Sequence, residues 1–518
     1  MNLIGIFLFS IVTLTESYKF LVVTQLPVRS LNILGEGVSR SLIEAGHEVT
    51  FITVFPLKNP PKKNFRQIDV SSVMKIFEAD STVLNIGYLM ENEPPLNDIS
   101  YLHDFTVRSA IETFDNEHVK ALLEDTNEKF DAIIVDFCET DLLAAYSVVY
   151  DAPLIIMYSM GAHSQVLRLI DKPTNPAYTS DHLSSNVPPF NFRQRVEELW
   201  AQIKWRWIKT FTTEKIEEAV YKKYFEPLLA KRGRMLPDFH DMMYNVSLVL
   251  GNEHHAIGNI PSTPQNFKFV GGYHIETPVK ALPKNLQELM DNAKNGVIYF
   301  SMGSTWQSKD IPKVMIENLL KMFGELKETV IWKFEEELPN VPHNVHIIKW
   351  APQPSILANP NLKFFITHGG LLSSTEAIHF GVPVIGIPIY FDQFVNVNKA
   401  VAAGYSLKVR LDFNMHKNLR EAIIKMLSDS SYAKRAKELS ALFHDRMMPP
   451  RKELVFWAEY VVRTKGAPHL RSPALFVPFY QRMYLDLLAL IFIMFLLVVV
   501  LLKKLLRKIT KRNHKKTD

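Results

Sequence analysis

The stretch from Trp350 to Asn396, WAPQPSILANPNLKFFITHGGLLSSTEAIHFGVPVIGIPIYFDQFVN, gathers most of the chemistry this chain can offer. A strand-like KFFIT runs into His368-Gly369-Gly370, and a helical pattern opens at Leu371. Backbone N–H groups left free at a helix start form an anion site. His368 adds a donor at the strand end, Ser373 a hydroxyl in the first turn and Glu376 a carboxylate one turn in. That set suits a diphosphate followed by a ribose whose hydroxyls Glu376 can accept from, while Trp350 offers a flat face to a base. Asp392-Gln393 pairs an acceptor-only side chain with an amide that donates and accepts, a combination suited to sugar hydroxyls. Each residue alone is an ordinary cap or turn residue. Gathered at one edge of a parallel sheet, they point to a nucleotide sugar.

The elements that must position them alternate along the chain. Candidate strands are Phe20-Thr24, Val49-Val54, Ala132-Val135, Leu154-Met157 and Leu248-Gly251, with helical patterns between them such as Val38-Glu44 and His118-Glu124. A second set follows at Val297-Phe300, Val330-Phe334, Val345-Ile348, Phe364-Thr367 and Val384-Ile387. Near-continuous apolar strands alternating with helices predict parallel sheets covered on both faces. The fold class is therefore α/β, with two Rossmann-like domains facing across a cleft, at 18–260 and 276–470. The Gly/Pro-containing stretch 261–275 is read as their linker. GEGVSR, starting at Gly35, has two glycines at dinucleotide-binding spacing, but Arg40 stands where a third belongs and the stretch begins too far beyond the strand. No nicotinamide cofactor is expected.

The two ends depart from ordinary globular composition. Leu3 to Leu14 is an apolar run of signal-peptide length, followed by small residues, so 1–17 is read as a cleaved secretory signal. Residues 483–502 hold one charge, Asp486, and are long enough to span a membrane. The tail 503–518 carries eight Lys or Arg and one Asp, which marks that side as cytoplasmic and the folded bulk as luminal. Those tail charges exceed the net charge of +5, leaving the rest of the chain slightly acidic and giving no sign of nucleic acid binding. Lys515-Lys516 near the end resembles an endoplasmic reticulum retrieval signal, so a single-pass type I protein of that membrane is expected. Cys138 is the only cysteine, and Asn245-Val246-Ser247 is a glycosylation sequon inside an apolar run.

The segment 350–396 resembles the signature of the UDP-glycosyltransferase superfamily, family 1 glycosyltransferases of GT-B fold. FVGGYHI, GVIYFSMGS and the anchored basic tail extend the likeness over nearly the whole chain, and HGGLLSSTEAI with FDQ is similar to the arthropod branch. The resemblance implies UDP-glucose as co-substrate, a small lipophilic acceptor, transfer with inversion, a role in detoxification, and neither metal nor other cofactor. By position, Trp350 stacks on uracil and Gln353 contacts the uridine. His368, Gly370, Ser373, Ser301, Gly303 and Ser304 line the phosphates, Glu376 holds the ribose, and Asp392 with Gln393 holds the hexose. Homo- or hetero-oligomers are left open.

One departure stands out. The family's acceptor-side histidine, in the loop after the first strand, falls on Leu31, and its partner aspartate on Asp136, with Asp141 the alternative. His47 is read as structural. A leucine takes no proton, and general-base help is worth about 10²–10⁴-fold. Three outcomes follow: Asp136 acts directly or through water, the acceptor is one that needs little deprotonation, or the protein binds a UDP-sugar or lipophile without turning it over. The acceptor pocket is expected from Glu78–Thr113 and Ser159–Leu228. The tryptophans around 200–207 are read as interfacial anchors or as a lid over that pocket.

Overall fold

A computed structural model describes residues 16–80, 86–91, 98–257, 261–303 and 311–514. Residues 1–15 of the expected signal, Ser304 and Lys515-Lys516 lie outside them.

The first domain is built on seven parallel strands: β1 (Lys19–Thr24), β2 (Glu48–Thr53), β3 (Phe65–Asp69), β4 (Ala132–Asp136), β5 (Leu154–Tyr158), β6 (Val246–Gly251) and β7 (Phe267–Phe269), in spatial order 3-2-1-4-5-6-7. The second holds six: β8 (Val297–Ser301), β9 (Thr329–Lys333), β10 (Val345–Ile348), β11 (Leu362–Thr367), β12 (Val384–Gly386) and β13 (Ser406–Lys408), in order 10-9-8-11-12-13. Both sheets are covered on two faces. In β1, Leu21 and Val23 enter one core while Phe20 and Val22 enter the opposite one, and β8 divides Ile298 and Phe300 from Val297 and Tyr299 in the same way. Strand order reverses between β1 and β4 and again between β8 and β11. In doubly wound sheets ligands bind at the strand carboxyl ends beside that reversal.

Three details differ from the sequence reading. The first helix runs Arg29–Glu44, so Ser30, Leu31 and Asn32 sit in its first turn and not in a loop. No side chain caps its start at Val28, which left no signal for an early beginning. The stretch read as linker contains β7, which pairs with β6 and closes the first sheet. Finally, the helix Pro450–Arg463 crosses back and buries Leu454, Ala458 and Val461 in the first domain's core with Phe20, Val22 and Leu34. His47 fastens that crossing. Its Nδ1 accepts from the Tyr18 N–H and its Nε2 lies 3.1 Å from Glu459, the structural role expected of it.

The glycines of GEGVSR prove to be packing residues. A Cβ on Gly35 would lie 2.5 Å from Thr24 and 2.9 Å from Phe51, so the helix can approach β1 only without one. At the far end a single helix runs Leu485–His514, and its portion Leu485–Ile509, whose most apolar 18 residues have mean hydropathy 3.2 with none buried, is long and apolar enough to cross a membrane. The expected span 483–502 begins two residues before this helix, and the apolar run ends with it at Leu502, where Lys503 and Lys504 follow.

Candidate active site between the two sheets

The carboxyl ends of the two sheets enclose one cavity of about 460 Å³, lined by Leu31, Cys138, Ser301, Gly303, Trp350, Gln353, His368, Gly370, Ser373, Glu376, Asp392 and Gln393 among others. Every described residue expected to hold the UDP-sugar therefore faces one space. The wall from the second domain is polar; the wall from the first is apolar.

The polar wall is organised around His368, at the end of β11. Its ring lies against Gly303 after β8 and Gly370 at the start of the helix Leu371–Phe380. A Cβ on either glycine would stand 2.6 Å from the imidazole. Gly369, between them, has φ +81°, and a side chain there would meet Val397 at 2.3 Å. Thr367 Oγ1 accepts from the Gly369 N–H at 3.4 Å and lies 3.3 Å from His368 Nδ1. The tautomer assigned to the ring has the Thr367 hydroxyl donating to Nδ1, which places the ring N–H on Nε2, the nitrogen nearest Gly370. No side chain caps that helix, so its first N–H groups and Nε2 converge on one anion site. Burial, helped by the charge of Lys333, pulls the His368 pKa down to about 4, so the ring is a neutral donor at pH 7.

Lys333 was missed by the sequence reading. It ends β9, lines the cavity, donates to the Gly303 carbonyl at 2.8 Å and pairs with Glu335 at 2.6 Å. A single lysine at a strand end carries no motif; only the pairing of β9 with β8 brings it to the anion site. His274, inside the supposed linker, is the second omission, its Nε2 being 3.5 Å from Glu376.

Gln353 ties together the part of the polar wall beside Glu376. Its amide donates to Ser373 Oγ at 3.0 Å and Glu376 Oε2 at 2.7 Å, and its carbonyl accepts from the Tyr299 hydroxyl at 3.2 Å. Trp350 is 64% exposed at the rim, with a face open to stacking. Further along, Gln393 commits its carbonyl to the N–H groups of Ile389 and Tyr390, leaving its amide as what it can offer a ligand. Burial raises the Asp392 pKa, against the opposing bond from Asn396 at 2.7 Å.

The apolar wall contains the departure. Leu31 is buried with Leu26 and Phe105, and Val28, Phe77 and Cys138 pack around them. The expected pocket segments need correction. Leu102 and Phe105 do line the cavity, but of Ser159–Leu228 only Ser159 and Met160 do so among the described residues. The remainder turns its apolar side chains elsewhere. Asn245 is exposed at the entry to β6 and accepts from Arg471 at 2.6 Å, whereas Ser247 of the sequon is buried.

The two aspartates separate cleanly. Asp141 is bound by Arg168 at 2.8 Å and Lys209 at 2.7 Å inside a buried ionic cluster with Glu217. Burial opposes its charge, but Arg168 and Lys209 prevail and hold the carboxyl well below the usual range. It is a structural ion, committed to its partners. Asp136 ends β4, is 3% exposed, and its Oδ1 has no hydrogen-bond partner. Burial alone lifts its pKa to about 7. Because the folded chain then holds a proton that the unfolded chain releases near pH 4, stability falls as pH rises from about 4 to 7, losing roughly 1.4 kcal/mol for each pH step of one across that window. Asp136→Asn is expected to remove this slope. Thermal midpoints from pH 4 to 8 check it; equal slopes in both proteins would show that Asp136 is not a buried, unpaired acid.

A family model described as "UDP-glucoronosyl and UDP-glucosyl transferase" matches residues 21–518. UDP-glucosyltransferase 2 of Dactylopius coccus is 31% identical over 470 residues, 89% of this chain and 87% of that protein. An ecdysteroid UDP-glucosyltransferase of Spodoptera littoralis nuclear polyhedrosis virus is 28% identical, over 82% of this chain and 83% of the viral protein. Among solved structures, the calicheamicin glycosyltransferase CalG4 aligns with TM-score 0.57 at 17% identity, covering 87% of this chain and 99% of CalG4, which establishes the GT-B fold. Two facing sheets, a polar wall assembled at the strand ends of the second and a family match along almost the whole chain agree: this protein belongs to the UDP-glycosyltransferases and is a glycosyltransferase enzyme.

Proposed function

We propose that this enzyme transfers glucose from UDP-glucose, with inversion, to a small lipophilic acceptor that needs little deprotonation, such as an amine, a carboxylate or an acidic phenol. One observation carries the reading: a polar donor wall intact in its described parts faces an apolar wall on which Leu31 stands at the place of a base. The acceptor attacks the anomeric carbon while the bond to the diphosphate breaks, and UDP leaves with the electron pair. Charge growing on the leaving oxygens is met by the helix start at Leu371, His368 Nε2–H and Lys333. These are N–H donors and a cation, a set that takes phosphates directly, in keeping with work without a resident metal. Glucose is favoured by the names of the two relatives above. The anchor Leu485–Ile509 and the basic tail favour a type I protein of the endoplasmic reticulum with luminal domains, and exposed Asn245 is a glycosylation site there.

A second reading, a UDP-sugar or lipophile binder without turnover, is favoured by the unpartnered Asp136 carboxyl. Both readings require UDP to bind. Titrating the detergent-solubilised full-length protein with UDP is expected to give saturable binding, weakened about tenfold or more by Trp350→Ala, since a stacked base is worth about 1–3 kcal/mol. Absence of binding would end both readings. Incubation with radiolabelled UDP-glucose and a panel of amines, acids and phenols then separates enzyme from binder.

A further inference from the structure

The helix Gln393–Ala402, which Asp392 and Gln393 open, belongs to the second domain but is fastened to the first. Lys399 lies 3.3 Å from Glu253, and the Asn398 amide donates to the Ser185 carbonyl. Phe391, one residue before Asp392, reaches further across. Its ring packs against the first domain's core, edge-on to His182 with 5.2 Å between ring centres and 70° between planes. The same residue lines the cavity, together with Asp392 and Gln393 from its own domain and Cys138, Ser159 and Met160 from the other.

Two residues on either side of this contact hold the left-handed backbone without being glycine, Phe391 at φ +56° and Glu139 at φ +55°. Such a conformation persists in a bulky residue only where the surroundings over-determine it, and it clusters at functional sites. His182 is the piece between them. It is 1% exposed, and its Nε2 and Nδ1 stand 3.4 Å from the carboxylates of Glu139 and Asp181. Those carboxylates are fixed in turn, Glu139 by the Trp205 indole N–H at 3.0 Å, Asp181 by the Gln165 amide at 3.2 Å and the Leu183 N–H at 3.0 Å. The seat under Phe391 is thus a packed, bonded part of the first domain. Since φ and ψ are the backbone's only soft dihedrals, the conformation of Phe391 sets the direction in which the chain enters Asp392. Trp350, Gln353 and Glu376, expected at the nucleoside, stand on other elements and owe nothing to it.

We propose that Phe391, seated on His182, is a positioning residue for the hexose. The contact holds Asp392 and Gln393 where they meet the sugar, so the second domain's hexose subsite is complete only against the first domain. This deepens the UDP-glucose reading above and rests on it, and the test separates the two.

Affinities of the detergent-solubilised full-length protein for UDP and for UDP-glucose, with rates of glucosyl transfer, are measured in Phe391→Gly, His182→Ala, His182→Phe and the double variant Phe391→Gly/His182→Ala. Glycine adopts the left-handed backbone freely, and both carboxylates keep their other donors without His182, so these proteins are expected to fold. In Phe391→Gly, UDP affinity is expected to stay unchanged while UDP-glucose affinity falls about tenfold or more, the worth of a hydrogen bond to a carboxylate. Its kcat is expected to fall about 10²-fold, the cost of a misplacement of about 1 Å. His182→Phe keeps a ring under Phe391 and should retain most of the kcat that His182→Ala loses. The double variant should be no slower than Phe391→Gly, as two members of one contact require. Affinities for UDP and UDP-glucose that fall together would show that the contact holds the domains and not the hexose, which overturns the proposal. So would a Phe391→Gly protein that matches the wild type, or single effects that multiply in the double variant. If the wild type binds both nucleotides without turnover, the affinity split alone decides. A wild type that binds neither ends the UDP-glucose reading and this proposal with it.

Discussion

Leu31→His is expected to raise kcat/KM for alcohols and unactivated phenols by about 10²–10⁴-fold, the worth of a general base, while leaving amine acceptors nearly unchanged. Leu31 faces the cavity from the first turn of the helix after β1, in contact with Leu26 and Phe105. β1 lies beside β4, whose last residue is Asp136. A histidine at position 31 is expected to reach the carboxyl of Asp136, whose Oδ1 is unpartnered. The carboxylate would select the ring tautomer and stabilise the imidazolium as it forms. In return the imidazolium would favour the charged form of Asp136 and relieve the penalty that burial now imposes on it.

That reciprocity makes the prediction a coupled one. In an Asp136→Asn background the gain from Leu31→His is expected to shrink to about tenfold or less, since a base held in no fixed tautomer is a poor one. Initial rates for the four proteins of the cycle, with one phenol and one amine acceptor, provide the check. Independent effects of the two substitutions would mean that Asp136 does not reach position 31. No gain with any hydroxyl acceptor would remove this helix start from the acceptor's path and leave the binder reading stronger.

The legible parts of this molecule were those written in continuous sequence. Strands such as Phe20–Val23 and Phe364–Ile366 are unbroken apolar runs because both sheet faces are covered, and His368-Gly369-Gly370 announces itself because glycine is demanded where the imidazole packs. What escaped is what only three dimensions assemble. Lys333 reaches the anion site through strand pairing, and β7 is three residues long with no pattern of its own. The apolar residues of 192–207 misled in the opposite sense. Hydrophobicity marks a face to be covered without saying by what, and here it faces away from the cavity that composition assigned to it.

Lys333→Met is expected to cut kcat by about 10²–10³-fold, as for loss of one preorganised group opposite a leaving anion, and to weaken UDP binding. His368→Ala is expected to do the same, since both residues face the point where the diphosphate's charge grows. They differ in a way that pH reveals. In the wild type, burial and Lys333 together hold His368 neutral down to about pH 4, so the rate should be flat on the acid side until the protein itself suffers. Removing the lysine leaves burial alone to depress the imidazole. Its pKa then rises toward the ordinary histidine value, so the pH dependence of kcat that His368 causes moves up in pH in Lys333→Met and is absent in His368→Ala. Methionine keeps the length and apolar stem of the lysine, and Glu335, 38% exposed, can turn its charge to water, so the fold should survive the change. An unchanged rate with either substitution would mean that the diphosphate lies elsewhere on the donor wall. An unmoved acid limb in Lys333→Met would mean that burial alone keeps His368 neutral and that the lysine acts on the leaving group without acting through the ring.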